Sequence, residues 1–261
     1  MIDPAEVVDA SARVFAELNR RVPGFDGLVA LDVTVASIGL PIGRVNSATA
    51  ARFEPATAVA RIDDVVDWFG RRKVPFVWRL GPPDQPADLQ DRLLAKGFTL
   101  DPDELPGMVA ALVDLPPVEL PDGAVIELVR DATGFREWLD VMVAGFGMPP
   151  QIGDAYVAFG SLGFGNELTW RAFLARADGR PVATAFGVFA GDGIDITNVA
   201  TLPEERGRGL GRAVTLAAMH LGAEAGARVA VLQSTEMGHG VYQRLGFEDF
   251  GRYRVLARLP G

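Results

Sequence analysis

The sequence has no cysteine in its 261 residues and only 2 histidines. The lack of cysteine excludes disulfides, thiolate nucleophiles and cysteine-based zinc sites, and it rules out an acyl-cysteine intermediate in any group transfer. No spacing of metal ligands is visible, so we expect no metal. The tripeptide Gly-Lys-Ser or Gly-Lys-Thr is also missing, which excludes a P-loop.

No apolar run approaches the roughly 20 residues that a membrane span requires. The first residues, Met-Ile-Asp-Pro-Ala-Glu, are acidic rather than basic. The formal net charge of -9 argues against nucleic acid or an anionic membrane as a partner, because both attract a basic face. We therefore expect a cytoplasmic protein, and a cationic small molecule is a better candidate partner than an anionic one.

The strongest local pattern runs from Asp195 to Gly226 and reads as strand, glycine turn and helix. Its first residues are rich in β-branched side chains, and Pro203 ends the strand because it cannot donate to a ladder. Residues 212–225 are rich in Ala and Leu and form a predicted helix, which Gly226 closes. The turn between strand and helix is the segment Arg-Gly-Arg-Gly-Leu-Gly at 206–211.

A glycine turn that leads directly into a helix leaves backbone N–H groups without partners at the positive end of the helix dipole. The glycines let a pyrophosphate approach the backbone closely, and the arginines add positive charge. We therefore expect a diphosphate cofactor on this segment. The predicted contacts are Arg206, Gly207, Arg208, Gly209, Leu210, Gly211 and Arg212.

The spacing of the glycines identifies the type of motif. A dinucleotide fingerprint would need glycine at 212 or 214, where Arg and Val stand. The observed Arg-x-x-Gly-x-Gly at 206–211 resembles the acetyl-CoA-binding signature of the GNAT superfamily of acyl-CoA N-acyltransferases. Tyr-Gln-Arg-Leu-Gly-Phe at 242–247 is similar to the family's Tyr-x-x-Leu-Gly-Phe segment and follows a predicted strand at 228–233.

The resemblance implies a mixed α/β fold, in which a central mixed, mostly antiparallel twisted sheet is flanked by helices. It also implies acetyl-CoA as co-substrate and transfer of the acetyl group directly to a primary amine of a small molecule. Two alternatives stay open: a non-catalytic module that binds acyl-CoA as a sensor or structural ligand, and a transferase of a longer acyl group.

The resemblance also implies roles for single residues. The pantetheine arm would pair with the strand at Asn198, Val199, Ala200 and Thr201, next to a bulge, with the N–H of Val199 or Ala200 polarising the thioester carbonyl. Tyr242 would be the general acid that protonates the leaving sulfur. Ser234 would hold a water or the region of the tyrosine, although it could equally cap a helix.

The general base is harder to assign. Alternation along the strand places Asp195 on the same face as Thr197 and Val199, near where some family members keep an acid. Asp195 is therefore our candidate base. Glu236 and His239 lie near the helix that carries the tyrosine, and a chain of waters could also do this work.

An internal repeat links the two halves of the chain. Asn-Ser-Ala-Thr at 46–49 matches Asn-Val-Ala-Thr at 198–201, and Lys-Gly-Phe at 96–98 takes the place of Leu-Gly-Phe at 245–247. We predict two GNAT-like domains, 1–116 and 124–261, joined by a linker at 117–123. The first copy has no glycine between 49 and the next helix, and Leu93 replaces the tyrosine, so we expect it to be degenerate. Because two copies in one chain can mimic a dimer, both a monomer and a homodimer are expected states.

Overall fold

A computed structural model describes residues 2–165 and 169–258, which form a mixed α/β fold. The helices are α1 (Pro4–Asn19), α2 (Ala58–Gly70), α3 (Leu89–Ala95), α4 (Ala132–Phe146), α5 (Pro150–Tyr156), α6 (Leu210–Glu224) and α7 (Glu236–Gln243). The strands are β1 (Asp26–Val29), β2 (Thr34–Ser37), β3 (Asn46–Thr49), β4 (Phe76–Leu80), β5 (Thr99–Ala111), β6 (Ala124–Leu128), β7 (Trp170–Ala177), β8 (Arg180–Ala190), β9 (Gly193–Thr201), β10 (Val229–Gln233) and β11 (Glu248–Arg258).

The chain divides into two compact units. The C unit comprises Met1–Ser11 and Met108–Asp249, and the N unit comprises Ala12–Gly107 and Phe250–Gly261. These bounds differ from the predicted domains 1–116 and 124–261. The difference arises because β11 pairs with β4 of the N unit, from Arg254 opposite Leu80 onwards, and register between distant strands leaves no local signal in the sequence.

The C unit contains a mixed sheet with the strand order β10-β9-β8-β7-β6. Only β9 and β10 are parallel, and the other neighbours in this order are antiparallel. The turn between β7 and β8 has Asp178 at φ 49° and Gly179 at φ 79°. Two consecutive positive φ values are typical of the tight hairpin turn that the Asp-Gly pair predicts.

Helices cover both faces of the C-unit sheet. On one face, Ile194 of β9 contacts Gly222 of α6, where an added Cβ would lie 2.7 Å from the Ile194 side chain. On the other face, Phe186 of β8 packs against Trp138 of α4 with ring centroids 5.5 Å apart. The Trp138 indole also donates a hydrogen bond to the carbonyl of Ala185. The sheet is thus a central layer between α6 and α4.

The strands of the N unit have the order β1-β2-β3-β4-β11. Here β3 and β4 are the parallel pair, and the remaining neighbours in this order are antiparallel. A parallel pair followed by a helix therefore occurs once in each unit. Asn46, the first residue of β3, is fully buried, and its amide group binds the carbonyls of Leu40, Ile42 and Pro75.

The backbone that follows β3 stays hydrogen-bonded. The Gln85 N–H donates to the carbonyl of Ala51, and the Phe53 N–H donates to the carbonyl of Gln85. Arg52 lies opposite Gln85 in an isolated parallel bridge, and its guanidinium pairs with Asp84 at 3.1 Å. The edge of the N-unit sheet beyond β3 is thus occupied by the chain itself.

None of the helices in the described ranges combines the length and apolar character that crossing a bilayer requires.

Candidate active site

A β-bulge interrupts β9 of the C unit at Asn198. Thr197 pairs with Phe186 and Ala200 with Thr184, so that two residues of β9 lie opposite the single residue Ala185. Asn198 has φ 51°, and its carbonyl accepts a hydrogen bond of 3.0 Å from the Thr184 hydroxyl. A bulge bends a strand and increases its twist. The buried threonine therefore holds β9 in the bent conformation.

The parallel strands β9 and β10 part next to this bulge. Their ladder pairs Gly193–Asp195 with Val229–Val231 and extends no further along β9 among the described residues. The backbone from Ile196 to Thr201 consequently has no partner on β10. An extended ligand can pair with such an edge as an added strand.

The bulge also changes which side chains share a face of β9. Alternation without a bulge would place Val199 on the face of Asp195, as predicted. Instead, Val199 packs against the hydrophobic core that includes Ile194 and Ile196, on the α6 side of the sheet. Ala200 lies on the α4 side, where a Cβ on Gly145 would be 2.9 Å from its methyl group. The prediction for Val199 was wrong because Asn198 adds one residue to the alternation.

The glycine turn connects β9 to α6 without a side-chain cap. Gly207 has φ 77° and Gly209 has φ 84°, and Gly209 is the N-cap of α6, with no side-chain hydrogen bond to the first turn. An added Cβ at either glycine would meet no atom within 4 Å. These glycines are therefore required by their backbone conformation and not by lack of space. Open space in front of an uncapped helix N-terminus suits an anion.

Ser234 and Thr235 directly precede α7, and Tyr242 lies in the last turn of this helix. Thr235 is the N-cap of this helix, and its side chain accepts a hydrogen bond from the Gly238 N–H. The fully buried Ser234 instead donates its hydroxyl proton to the Thr235 carbonyl at 2.7 Å. The N-cap of α7 is therefore Thr235 and not Ser234, which the sequence had also offered as a cap.

Tyr242 is held by close packing. A Cβ on Gly238 would lie 2.8 Å from its ring and 3.3 Å from the Ser234 hydroxyl, and Phe247 packs edge-on at 5.9 Å. Burial raises the pKa of Tyr242 to about 12. The phenol is therefore protonated throughout the neutral range, as a general acid must be.

One hydrophobic core joins these elements. It contains Leu210, the first residue of α6, and Leu232 of β10, and both Tyr242 and Val199 pack against it. The bulge, the glycine turn and the tyrosine that the sequence singled out thus pack against the same core.

Asp195 lies on the opposite face of β9, in the last pair of the ladder with β10. It is partly buried, and desolvation raises the pKa of its carboxyl group to about 6, against a smaller lowering by the Ser11 hydroxyl. A carboxylate with this pKa titrates close to neutral pH, where a general base is most effective.

Residues 169–249 match the sequence model of the acetyltransferase (GNAT) domain. The matched segment runs from just before β7 to the start of β11 and includes the bulge, the glycine turn and Tyr242. The chain contains a GNAT acetyltransferase domain. Domains of this family use acyl-CoA, so acyl transfer from acyl-CoA is the chemistry that the match supports.

Solved structures show the same fold over nearly the whole chain. A GCN5-related N-acetyltransferase from Kribbella flavida is 23% identical, with 97% of this chain and 96% of that chain covered and a TM-score of 0.72. A GCN5-related N-acetyltransferase from Sphaerobacter thermophilus is 17% identical, with 98% and 93% covered and a TM-score of 0.62. A tandem GNAT protein from the clavulanic acid biosynthesis pathway is 15% identical, with 98% and 96% covered and a TM-score of 0.58. A search of curated protein sequences finds no match to the chain.

The three arginines of the segment 206–212 already have protein partners. The Arg206 guanidinium donates to the carbonyls of Gly145 and Thr201, at 2.8 and 3.3 Å. Arg208 pairs with the buried Glu205, which also binds Arg180. Arg212 lies 3.6 Å from the exposed Glu119. Arg206 and Arg208 therefore fix the shape of the turn, and Arg212 has the weakest of these contacts.

The other candidate bases of the GNAT domain have different surroundings. His239 lies on α7 with its Nε2 atom 2.7 Å from the Asp249 carboxylate. Glu236 is in the first turn of the same helix, where a negative charge stabilises the helix dipole. Both residues thus have structural roles in or around α7 that do not require either of them to act as a general base.

Four residues in or next to the GNAT domain were not identified from the sequence: Ser11, Thr184, Glu205 and Thr235. Thr235 had a usable signal, since threonine directly before a helix is a preferred cap. The other three act through contacts between distant segments, and a single sequence carries no pattern for them.

The raised pKa of Asp195 makes a prediction about stability. The folded protein keeps this proton up to about pH 6, whereas the unfolded chain loses it near pH 4, so the stability of the folded state falls as the pH rises between these values. The cost at pH 8 is about 2–3 kcal/mol. We expect Asp195→Asn to stabilise the protein by up to this amount at pH 8 and to have little effect at pH 4.

Urea unfolding at the two pH values measures this difference. The exposed Asp192, three residues earlier in the turn before β9, provides the matched control as Asp192→Asn. Equal effects of Asp195→Asn at pH 4 and pH 8 would contradict the assigned burial of the carboxylate.

Proposed function

We propose that the protein transfers the acetyl group of acetyl-CoA to a primary amine of a small molecule, by direct transfer within a ternary complex. The observation that carries this proposal is the opening between β9 and β10, which lies directly beside an uncapped, glycine-rich helix N-terminus. One part provides a backbone edge for an extended arm, and the other provides N–H donors for a diphosphate.

The cofactor would occupy both parts of this opening. The pyrophosphate would bind the backbone at 206–212, where the space next to Gly207 and Gly209 is open. The pantetheine arm would extend the sheet along 198–201. A backbone N–H of Val199 or Ala200, at the bulge, would then donate to the thioester carbonyl, and a buried donor of this kind contributes a few kcal/mol in the transition state.

The chain offers an acid and a base for the transfer itself. The amine nitrogen attacks the thioester carbon, the tetrahedral intermediate collapses, and the carbon–sulfur bond breaks. Tyr242 would give its proton to the leaving thiolate. Asp195, directly or through a water, would take the proton that the amine loses. Because the chain has no cysteine, no acyl-cysteine precedes this step.

We propose one cofactor site per chain. In the N unit, the backbone edge after β3 is hydrogen-bonded to Gln85. The segment 50–57 before α2 also contains no glycine, so it cannot adopt the turn that Gly207 and Gly209 form. Both features support a first copy that does not bind acetyl-CoA and serves as a structural unit.

The proposed partner is a small amine rather than nucleic acid or a membrane surface, in line with the net charge of -9. Within this proposal the protein acts as a monomer or a homodimer.

The test is a panel of primary amines with acetyl-CoA, in which the release of free CoA is followed with a thiol reagent. The enzyme itself adds no background, because it has no cysteine. Amine-dependent thiol release and an acetylated product in mass spectrometry would support the proposal. Faster release from propionyl- or succinyl-CoA would assign a longer acyl group. Tight binding of acetyl-CoA without amine-dependent release across the panel would instead favour a non-catalytic binding module.

A further inference from the structure

The first half of α1 packs on β9 inside the C unit. Residues up to Ser11 group with 108–249. The contact is close, since a Cβ added to Gly193 would lie 2.7 Å from the Val7 side chain. The glycine at the start of β9 therefore lets this helix approach the strand.

Ser11 and Asp195 both lie close to the contact between Val7 and Gly193. Ser11 lies one turn beyond Val7, about 6 Å along the helix axis. Asp195 lies two residues beyond Gly193 on the same face of β9, about 7 Å along the strand. Because residues four apart share one face of a helix, Ser11 lies on the face of α1 that Val7 presents to the strand, so Ser11 and Asp195 belong to the two surfaces that meet at this contact.

The Ser11 hydroxyl has no other use in the described part of the chain. The residue is 1% exposed, and its oxygen makes no hydrogen bond of ordinary geometry to any described residue. Its influence is nevertheless directed at Asp195, whose pKa it lowers. A buried hydroxyl without a partner is costly, and a nearby carboxylate is the acceptor that would satisfy it.

We propose that Ser11 is a positioning residue for Asp195: its hydroxyl donates to the carboxylate when that group is ionised and holds it towards the opening between β9 and β10. This inference rests on the proposed function, because it assigns Asp195 as the base. It makes α1, which lies far outside the segment 169–249, part of the active site.

The surroundings of Asp195 leave this hydroxyl as its main polar neighbour. The adjacent strands place Val188 and Val231 beside it. Desolvation raises the pKa of Asp195 and the Ser11 hydroxyl lowers it, and α1 also carries the acids Glu6 and the buried Asp9. Removal of the hydroxyl should thus raise the pKa of Asp195.

The test is a titration of the Asp195 carboxyl carbon by 13C NMR in the full-length protein, with Asp195→Asn used to assign the signal. We expect Ser11→Ala to raise the pKa of Asp195, with a three- to tenfold smaller proton dissociation constant, roughly half to one pKa unit. Because alanine leaves no unpaired group, we expect the variant to fold. Thr34→Val is the matched control, since it removes another buried hydroxyl without a hydrogen-bond partner, in the N unit.

An unchanged titration in Ser11→Ala would overturn the contact. If the pKa of the Asp195 carboxyl group rises, the acid limb of the pH profile of kcat should shift to higher pH by the same amount. A shifted carboxyl with an unshifted limb would show that Ser11 does not act through the base. Absence of turnover in the wild-type protein with every amine would overturn the proposed function, and the NMR titration distinguishes that failure from a failure of the contact.

Discussion

Gly209→Val is expected to lower the affinity for acetyl-CoA by about 100-fold or more, since each charge-assisted hydrogen bond contributes about 1.5–3 kcal/mol. Gly209 has φ 84°, a conformation that β-branched residues rarely adopt. Valine at this position would change the turn and redirect the N–H groups at the start of α6. The side chain would also enter the open space that the pyrophosphate would occupy.

Gly226 provides the control at the other end of the same helix. It has φ 90°, and an added Cβ there also meets no atom within 4 Å. Gly226→Val therefore imposes a similar backbone strain without touching the predicted cofactor site. Calorimetric titration of both variants measures the difference. If Gly209→Val kept the wild-type affinity, or if both variants lost it equally, the assignment of the glycine turn would be contradicted.

Tyr242→Phe is expected to lower kcat by about 100-fold or more, with an unchanged dissociation constant for acetyl-CoA, because general acid catalysis contributes about 10²–10⁴-fold. Phenylalanine keeps the ring contacts with Phe247 and Gly238 and removes only the phenolic hydroxyl group. Since burial raises the pKa of Tyr242 to about 12, the wild-type activity should not decline from ionisation of this group below pH 10.

Tyr253→Phe is the control. It removes the hydroxyl group of a buried tyrosine in the N unit and should leave kcat unchanged. Steady-state kinetics with a saturating amine, together with the binding titration, separates the two effects. A Tyr242→Phe variant with wild-type kcat would remove the tyrosine from its role as acid, and a variant with weakened acetyl-CoA binding would assign it to the cofactor site.

Residues with restricted backbone conformations were the most predictable from the sequence. Pro203, Gly209 and Gly226 mark the end of β9 and the two ends of α6, and the observed helix Leu210–Glu224 follows these marks closely. The Asp178-Gly179 turn was predictable for the same reason, because both residues tolerate positive φ. The backbone preferences of single residues therefore predicted most helix and strand ends of the C unit.

Contacts between distant segments were not predictable. The pairing of β11 with β4 sets the bounds of the N unit, and no residue near Arg254 signals its partner Leu80. The contact of α1 with β9 depends on Gly193, which reads in the sequence as an ordinary turn residue. Such features depend on register and packing, to which a single sequence gives no access.

The candidate site lies between these two cases. The bulge was expected from the resemblance, but its position at Asn198 moves Val199 to the α6 side of the sheet, which residue alternation could not show. The sequence also did not indicate that Arg206 binds two backbone carbonyls and that Arg208 binds a buried glutamate, contacts that hold the shape of the glycine turn.

Calorimetric titration of the full-length protein with acetyl-CoA, with the stoichiometry determined, tests the proposed cofactor site. We expect one site per chain, lost in Gly209→Val and kept in Gly226→Val. Two sites per chain would contradict the claim that the N unit does not bind the cofactor. No binding at all would show that the opening between β9 and β10 is not an acetyl-CoA site.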